Sequence, residues 1–299
     1  RSTETDLVGT SSGIEMVRER IARVAETDFT VLIEGESGVG KELVARQIHE
    51  ESRRRRGPFI AVNCAAIVET LVEAELFGIE DRTATGVRGR RGKFEQAERG
   101  TLFLDEVSDL SSSAQAKLLR AIQELAVERV GGHVSHRVDT RIIVATNRSL
   151  ASLVADGRFR ADLYYRLNGV EVLVPPLRSR REDIPLLIGH FLDRYRSVRR
   201  MKTSRSALDA LLAYEWPGNV RQLERVIERA VTLSNGSSID VVDLPPVITG
   251  EGTTLAVSAA AGGESMRVWG SRYARLVLDR CHGNKRQACR MLGISYHTL

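Results

Sequence analysis

The stretch Gly35-Glu36-Ser37-Gly38-Val39-Gly40-Lys41-Glu42 decides the fold. An apolar run, Thr30-Val31-Leu32-Ile33, leads into it, and Leu43-Val44-Ala45-Arg46-Gln47-Ile48 follows with helical spacing. Strand, glycine-rich turn and helix in that order are the setting of a P-loop, where glycines let successive backbone N–H groups turn inward on phosphate oxygens. Lys41 supplies a point charge for the β- and γ-phosphates, and the helix N-terminus adds its dipole. Gly35, Glu36, Ser37, Gly38, Val39, Gly40, Lys41 and Glu42 are therefore the nucleotide-binding candidates, with Val8 and Gly9 placed ahead of the first helix. Glu42 stands where a hydroxyl residue ordinarily meets magnesium. A glycine-rich turn arising by chance is the alternative, and it leaves the flanking pattern unexplained.

A second stretch, Thr101-Leu102-Phe103-Leu104-Asp105-Glu106, is an apolar strand ending in two carboxylates. In an open parallel sheet such strand ends lie together on the ligand-binding edge. Asp105 is expected to hold magnesium, directly or through water, and Glu106 to polarise the attacking water. ATP and Mg2+ are the cofactors this pair of motifs implies. Further buried strands are expected at Phe59-Ile60-Ala61-Val62, ending at Asn63-Cys64, and at Arg141-Ile142-Ile143-Val144-Ala145-Thr146, ending at Asn147. A last strand, Val170-Glu171-Val172-Leu173-Val174, is closed by Pro175-Pro176. Between them, Ile14, Val17, Ile21 and Val24 mark one amphipathic helix. Leu118, Leu119, Ile122 and Leu125 mark another over residues 111–128, with Ser111 as its cap. Residues 127–138, broken at Gly131-Gly132, look like a hairpin. Strands alternating with helices imply an α/β fold with a parallel sheet covered on both faces.

The chain has 299 residues, enough for two or three domains. Its 42% hydrophobic and 28% charged residues fit a soluble globular protein, and no apolar run is long enough for a membrane span. No signal peptide is visible, and the three cysteines, Cys64, Cys281 and Cys289, lack metal-ligand spacing, so a reduced, cytoplasmic setting is expected. The net charge of +5 permits nucleic-acid binding without requiring it. The run Arg53-Arg54-Arg55-Arg56 reads as a solvated loop. Because the chain starts at Arg1 and stops inside a helical motif, a longer parent protein is expected. Beyond the prolines the pattern is wholly helical over residues 184–233, interrupted at Trp216-Pro217-Gly218-Asn219. The expected division is an α/β nucleotide-binding part at 1–175 and an α-helical lid at 176–248. A flexible linker at 249–264 and a truncated helix-turn-helix at 265–299 follow.

Taken together, GESGVGKE, TLFLDE and the later WPGNVRQLE resemble the central AAA+ domain of the sigma-54-dependent bacterial enhancer-binding proteins. In that family Glu ordinarily follows the P-loop lysine, so Glu42 agrees with ATP. The resemblance implies an AAA+ P-loop NTPase with a small all-α lid, ATP hydrolysis, and assembly with copies of itself into a ring, a hexamer. It also implies roles for single residues. Asn63 matches the asparagine that restrains the catalytic glutamate, and Asn147 matches sensor I, which reports the γ-phosphate. Arg160 and Arg166, in Phe159-Arg160-Ala161-Asp162-Leu163-Tyr164-Tyr165-Arg166-Leu167, match arginine fingers, which stabilise transition-state charge across a subunit interface. The alternative for both is a surface salt bridge. Arg221 matches sensor II, reaching from the lid to the nucleotide; its alternative is a helix-surface arginine opposite Glu224 or Glu228. The segment Gly283-Asn284-Lys285-Arg286-Gln287-Ala288-Cys289-Arg290-Met291-Leu292-Gly293-Ile294-Ser295 resembles the family's Fis-type helix-turn-helix. DNA-binding candidates are Lys285, Arg286, Ser295 (the cap of the recognition helix), Tyr296, His297 and Thr298; an ordinary helical hairpin is the alternative.

One loop departs from the family. Its members read GAFTGA between ELFG and the acidic strand, whereas here Arg82-Thr83-Ala84-Thr85-Gly86-Val87 follows Glu75-Leu76-Phe77-Gly78. Alanine in place of the aromatic lacks the area that anchors such a contact. The expected function is an ATP-dependent transcription regulator that binds promoter or enhancer DNA, with RNA polymerase holoenzyme as a possible partner and no membrane. The usual sigma-54 loop contact is not expected. The alternative is a DNA-binding regulator in which ATP controls assembly only, without remodelling. A DNA motor or protein unfoldase would need pore-loop aromatics, which residues 83–87 lack.

Overall fold

The unbroken apolar run Leu102-Phe103-Leu104 predicts a strand buried on both faces, and that strand lies inside the central sheet. The structure is a computed structural model that describes residues 7–81, 89–195, 201–234, 236–249 and Lys285. From the N-terminus the elements are α1 (Ser12–Ala25), β1 (Val31–Glu34), α2 (Lys41–Glu51), β2 (Phe59–Asn63) and α3 (Glu69–Phe77). A small pair, β3 (Gly78–Ile79) and β4 (Arg90–Arg91), brackets the loop, followed by α4 (Lys93–Gln96), β5 (Thr101–Asp105) and α5 (Ser112–Glu124). The hairpin of β6 (Ala126–Glu128) and β7 (Ser135–Arg137) precedes β8 (Arg141–Thr146), α6 (Leu150–Ala155), α7 (Ala161–Leu167) and β9 (Val170–Leu173). The lid holds α8 (Ile184–Arg194), β10 (Lys202–Thr203), α9 (Arg205–Ala213), α10 (Asn219–Leu233) and β11 (Ser238–Ile239).

Five strands form one parallel sheet in the order β2-β5-β8-β1-β9. Successive residues feed opposite layers, as strand geometry requires. Leu32, Leu102, Leu104, Ile142 and Val144 pack with Leu76 and Leu118 on one face. Val31, Ile33, Phe103, Ile143 and Ala145 pack with Ile21, Val44 and Ile48 on the other. Burying a side chain of this size contributes about 1.5–3 kcal/mol, so the two apolar layers hold the strand ends in register. Arg141 begins β8 almost fully buried, at 2% exposure, and donates to the carbonyl oxygens of Val24 (2.7 Å) and Ala25 (3.4 Å). Those carbonyls close α1, where a cation is favoured.

Three local expectations need correction. The helix expected over residues 111–128 stops at Glu124, because Leu125 turns into a left-handed φ of 49° and the chain enters the hairpin. Ser111 does cap it, accepting from Ala114 N. The lid is not wholly helical, since β10 and β11 pair in parallel over two residues each, too short for any alternation to be read. The ends of the polar loop at 79–91 are likewise paired.

The chain divides into two compact units, the first ending at Ile239 and the second beginning at Asp240. In the second, Asp240 and Asp243 form a reciprocal cap on the short turn Val241–Asp243, and α11 (Pro246–Thr249) follows. Of the DNA-binding candidates, Lys285 is helical and exposed. Arg286, Ser295, Tyr296, His297 and Thr298 lie outside the described residues, as do loop residues 82–87. No helix among the described residues is long and apolar enough to cross a membrane.

Candidate nucleotide site

The phosphate loop is shaped by two glycines. Gly40 has φ 106°, a left-handed conformation that glycine adopts without strain, and it hands the chain to α2 with Lys41 as the first helical residue. Gly38 has φ 79°, and a Cβ there would sit 2.4 Å from the carbonyl oxygen of Gly218. The loop thus packs backbone against backbone on the lid. The cleft between them measures about 550 Å3, within the range of small-molecule sites. Ser37, Gly38, Val39, Gly40, Lys41 and Glu42 line it, whereas Gly35 and Glu36 do not. Glu42 turns back on its own helix and pairs with Arg46 at 2.7 Å.

Lys41 is only 6% exposed. Its Nζ donates to Gly35 O at 2.9 Å, to Glu36 O at 3.5 Å and to Glu106 Oε1 at 3.3 Å. A buried ammonium without a counter-ion would cost several kcal/mol, and Glu106 fills that need. The other oxygen of Glu106 accepts from Asn147 N at 3.0 Å. Glu106 sits at φ 54°, strained for a side-chain-bearing residue, as functional positions often are. Asp105 accepts from Glu106 N at 3.1 Å. Burial, and then the neighbouring Glu106 charge, push its carboxyl above the usual range. A divalent cation would relieve that pairing of carboxylates, so the two residues fit magnesium. Among the described residues no group of three or more His, Cys, Asp or Glu is placed to hold a metal ion by itself. An ion here would complete its shell with phosphate and water, as Mg2+ commonly does. Cys64, buried beside these carboxylates, has its thiol pushed up to about 12, first by burial and then by Asp105; it is an inert apolar residue here.

The remaining candidates fall on both sides of the cleft. Asn63 lies beside Asp105 in the ladder and lines the cleft. Its Oδ1, however, caps the turn that follows, accepting from Ala65 N (3.0 Å) and Ala66 N (3.1 Å). Among the described residues Asn63 makes no hydrogen bond to Glu106; capping two otherwise free amides holds the side chain elsewhere. Asn147 is exposed and meets Glu106 through its backbone. Arg221, in the first turn of α10, lines the cleft, and its N–H donates to Gly38 O at 3.2 Å. Glu224 is taken by Arg194 at 2.7 Å. Arg160 and Arg166 are exposed and line no part of their own chain's cleft. Arg160 pairs with Asp162 at 2.7 Å, and Arg166 makes no ion pair among the described residues.

One wall of the cleft joins the candidate Val8 to residues that the sequence did not single out. Leu7 and Val8 line it opposite Leu187, His190 and Phe191 of α8. Arg18 donates to Leu7 O (2.6 Å) and Gly9 O (2.7 Å). Asp183, fully buried at the start of α8, accepts from Thr10 N (2.7 Å), Ser11 N (2.8 Å) and Ser11 Oγ (2.6 Å). Gly9 makes that approach possible: a Cβ there would lie 2.7 Å from the Asp183 carboxylate. Arg180, also buried, donates to Val39 O at 3.1 Å. Three charged residues in one tight connector, Arg178, Arg180 and Asp183, are the signal, and it is easily read as a solvated turn.

Residues 7–173 match the Sigma-54 interaction domain, residues 178–261 the AAA+ ATPase lid domain, and residues 275–299 the Fis family of bacterial regulatory proteins. The chain is 49% identical over 300 residues to the transcriptional regulatory protein ZraR of Klebsiella oxytoca, covering 98% of this chain and 67% of that protein. It is 47% identical to the regulatory protein AtoC of Escherichia coli, over 93% of this chain and 62% of AtoC. Among solved structures, NtrX from Brucella abortus in complex with ATP superposes with a TM-score of 0.79 at 35% identity, over 98% of this chain and 67% of NtrX. Its complex with ADP gives 0.78 at 36% identity, over 99% of this chain and 68% of NtrX. The chain spans about two thirds of the length of these proteins.

Proposed function

The chain belongs to the sigma-54 interaction domain family of bacterial transcription regulators, with an AAA+ ATPase domain, a lid and a Fis-type segment, and we propose that its ATP hydrolysis drives a ring, a hexamer, bound to promoter or enhancer DNA in the cytoplasm. The observation that carries this reading is the meeting of Lys41, Asp105 and Glu106 at one cleft, with Arg221 entering from the lid. Backbone N–H groups of the loop and Lys41 hold the phosphates, and Asp105 holds magnesium. The ion, when bound, neutralises charge on the phosphate oxygens. Once phosphate takes over Lys41, Glu106 is free to orient water and accept its proton. Arg160 and Arg166, exposed and remote from their own cleft, serve the cleft of a neighbouring subunit.

The test is ATP turnover against protein concentration. Turnover per subunit should rise with concentration. Glu106→Gln should lower kcat by about 10²–10⁴-fold without weakening ATP binding, since Lys41 loses a competing carboxylate. Equal turnover by Glu106→Gln and wild type would remove the assignment. A second reading, in which ATP sets assembly only, is favoured by the sequence of residues 82–87, which lacks the aromatic of the family loop. Open-complex formation by sigma-54 polymerase on duplex promoter DNA separates the two: robust opening would refute both the assembly-only reading and the expectation that the usual loop contact is absent.

A further inference from the structure

Glu36 belongs to the phosphate loop by sequence, yet its carboxylate serves the lid. It stays outside the cleft lining, where a negative charge would oppose phosphate. Arg178 grips it with both terminal nitrogens, Nη1 to Oε2 at 2.7 Å and Nη2 to Oε1 at 2.5 Å. Such a fork is stronger and more directional than a single charge contact. The Oε2 atom also accepts from Asn219 Nδ2 at 3.1 Å. Asn219 is fully buried at φ 51°, an unusual backbone for a residue with a side chain. All its side-chain groups are engaged: Nδ2 also donates to Ser37 O at 3.0 Å, and Oδ1 accepts from Leu177 N at 2.8 Å. Two residues later comes Arg221, whose N–H reaches Gly38 O. One carboxylate therefore joins the phosphate loop, the connector after β9 and the first turn of α10.

We propose that Glu36, Arg178 and Asn219 form a latch that sets the position of Arg221 over the phosphates, with Glu36 acting as a positioning residue rather than a phosphate ligand. The proposal rests on the ATPase reading and on Arg221 as the lid's sensor. A nucleotide that shifts the loop pulls on the start of α10 through Glu36, and the lid pulls back by the same route. Phosphate binding itself belongs to the loop N–H groups and Lys41, which the latch leaves in place. Loss of the latch should therefore slow turnover while sparing affinity.

The experiment measures ATP affinity and turnover for the full chain and its variants. Glu36→Gln and Arg178→Ala change half-exposed side chains, so both should fold. Each should lower kcat about tenfold, the scale of one coupled contact, with the ATP Kd within about threefold of wild type. Arg178→Lys, which keeps the charge and loses the fork, should recover part of the rate. The variant carrying both Glu36→Gln and Arg221→Ala should be no slower than Arg221→Ala alone, because both changes remove one device. A wild-type rate for Glu36→Gln beside a slow Arg221→Ala overturns the latch alone, as does a double variant slower by the product of the two effects. A wild-type rate for Arg221→Ala overturns the sensor assignment and the latch with it.

Discussion

For Asp105, the proposed task of holding an ion conflicts with holding the fold. Its folded pKa is raised, first by burial and then by Glu106. A raised carboxyl pKa contributes stability that is complete below the unfolded value, about 3.9, and is lost as pH rises through the folded value. Above the folded value the ionised Asp105 therefore weighs against folding, and a divalent cation bound there would offset that. Asp105→Asn should raise the melting temperature of the nucleotide-free protein and abolish magnesium-dependent turnover, measured by thermal unfolding and by ATPase assay. A lower melting temperature would show that the aspartate stabilises the empty site. Lys41, Asp105 and Glu106 were legible in the sequence because each sits at a fixed offset from a strand end, and backbone geometry carries such residues to the cleft. The partner of Glu36 was not legible, since Arg178 lies 142 residues away and no local pattern links them.

At the scale of elements, the short connector between β9 and α8 governs the cleft more than its length suggests. Arg178, Arg180 and Asp183 hold the phosphate loop at Glu36, the same loop at Val39, and the N-terminal wall at Thr10 and Ser11. Asp183→Ala should leave two backbone amides and one hydroxyl without their acceptor, each worth about 1–3 kcal/mol when buried. The expected outcome is a lower melting temperature together with weaker ATP binding, because Leu7 and Val8 lose their backing. Calorimetric titration with ATP at a temperature where the variant remains folded reads the second effect, and unchanged affinity would refute the link between Asp183 and the Leu7–Val8 wall of the cleft. The five strands of the main sheet and the chief lid helices follow from apolar periodicity, so they could be read from the chain. The connector could not. Its turns are too short for a period, and its charges resemble those of a solvated loop until the surfaces they meet are known.

For the whole molecule, the arginines of α7 decide whether one chain suffices. Because Arg160 and Arg166 line no part of their own cleft, a ring predicts complementation. Arg166→Ala subunits have an intact Glu106, and Glu106→Gln subunits have an intact Arg166, so a mixture should hydrolyse ATP faster than either variant alone. A monomer with full activity, or a mixture no better than its components, would leave both arginines as surface residues. The strand order has a mechanical corollary. β1, which leads into the phosphate loop, is hydrogen-bonded on one side to β8, which ends one residue before Asn147, and on the other to β9, which runs out to the lid. Three parallel rails bonded over four residues on each side resist sliding, so the sheet acts as a stiff chassis. Force applied at the phosphates would therefore reach the lid through the ten residues between β9 and α8 and their ties to Glu36, Val39 and Ser11, not through shear between strands.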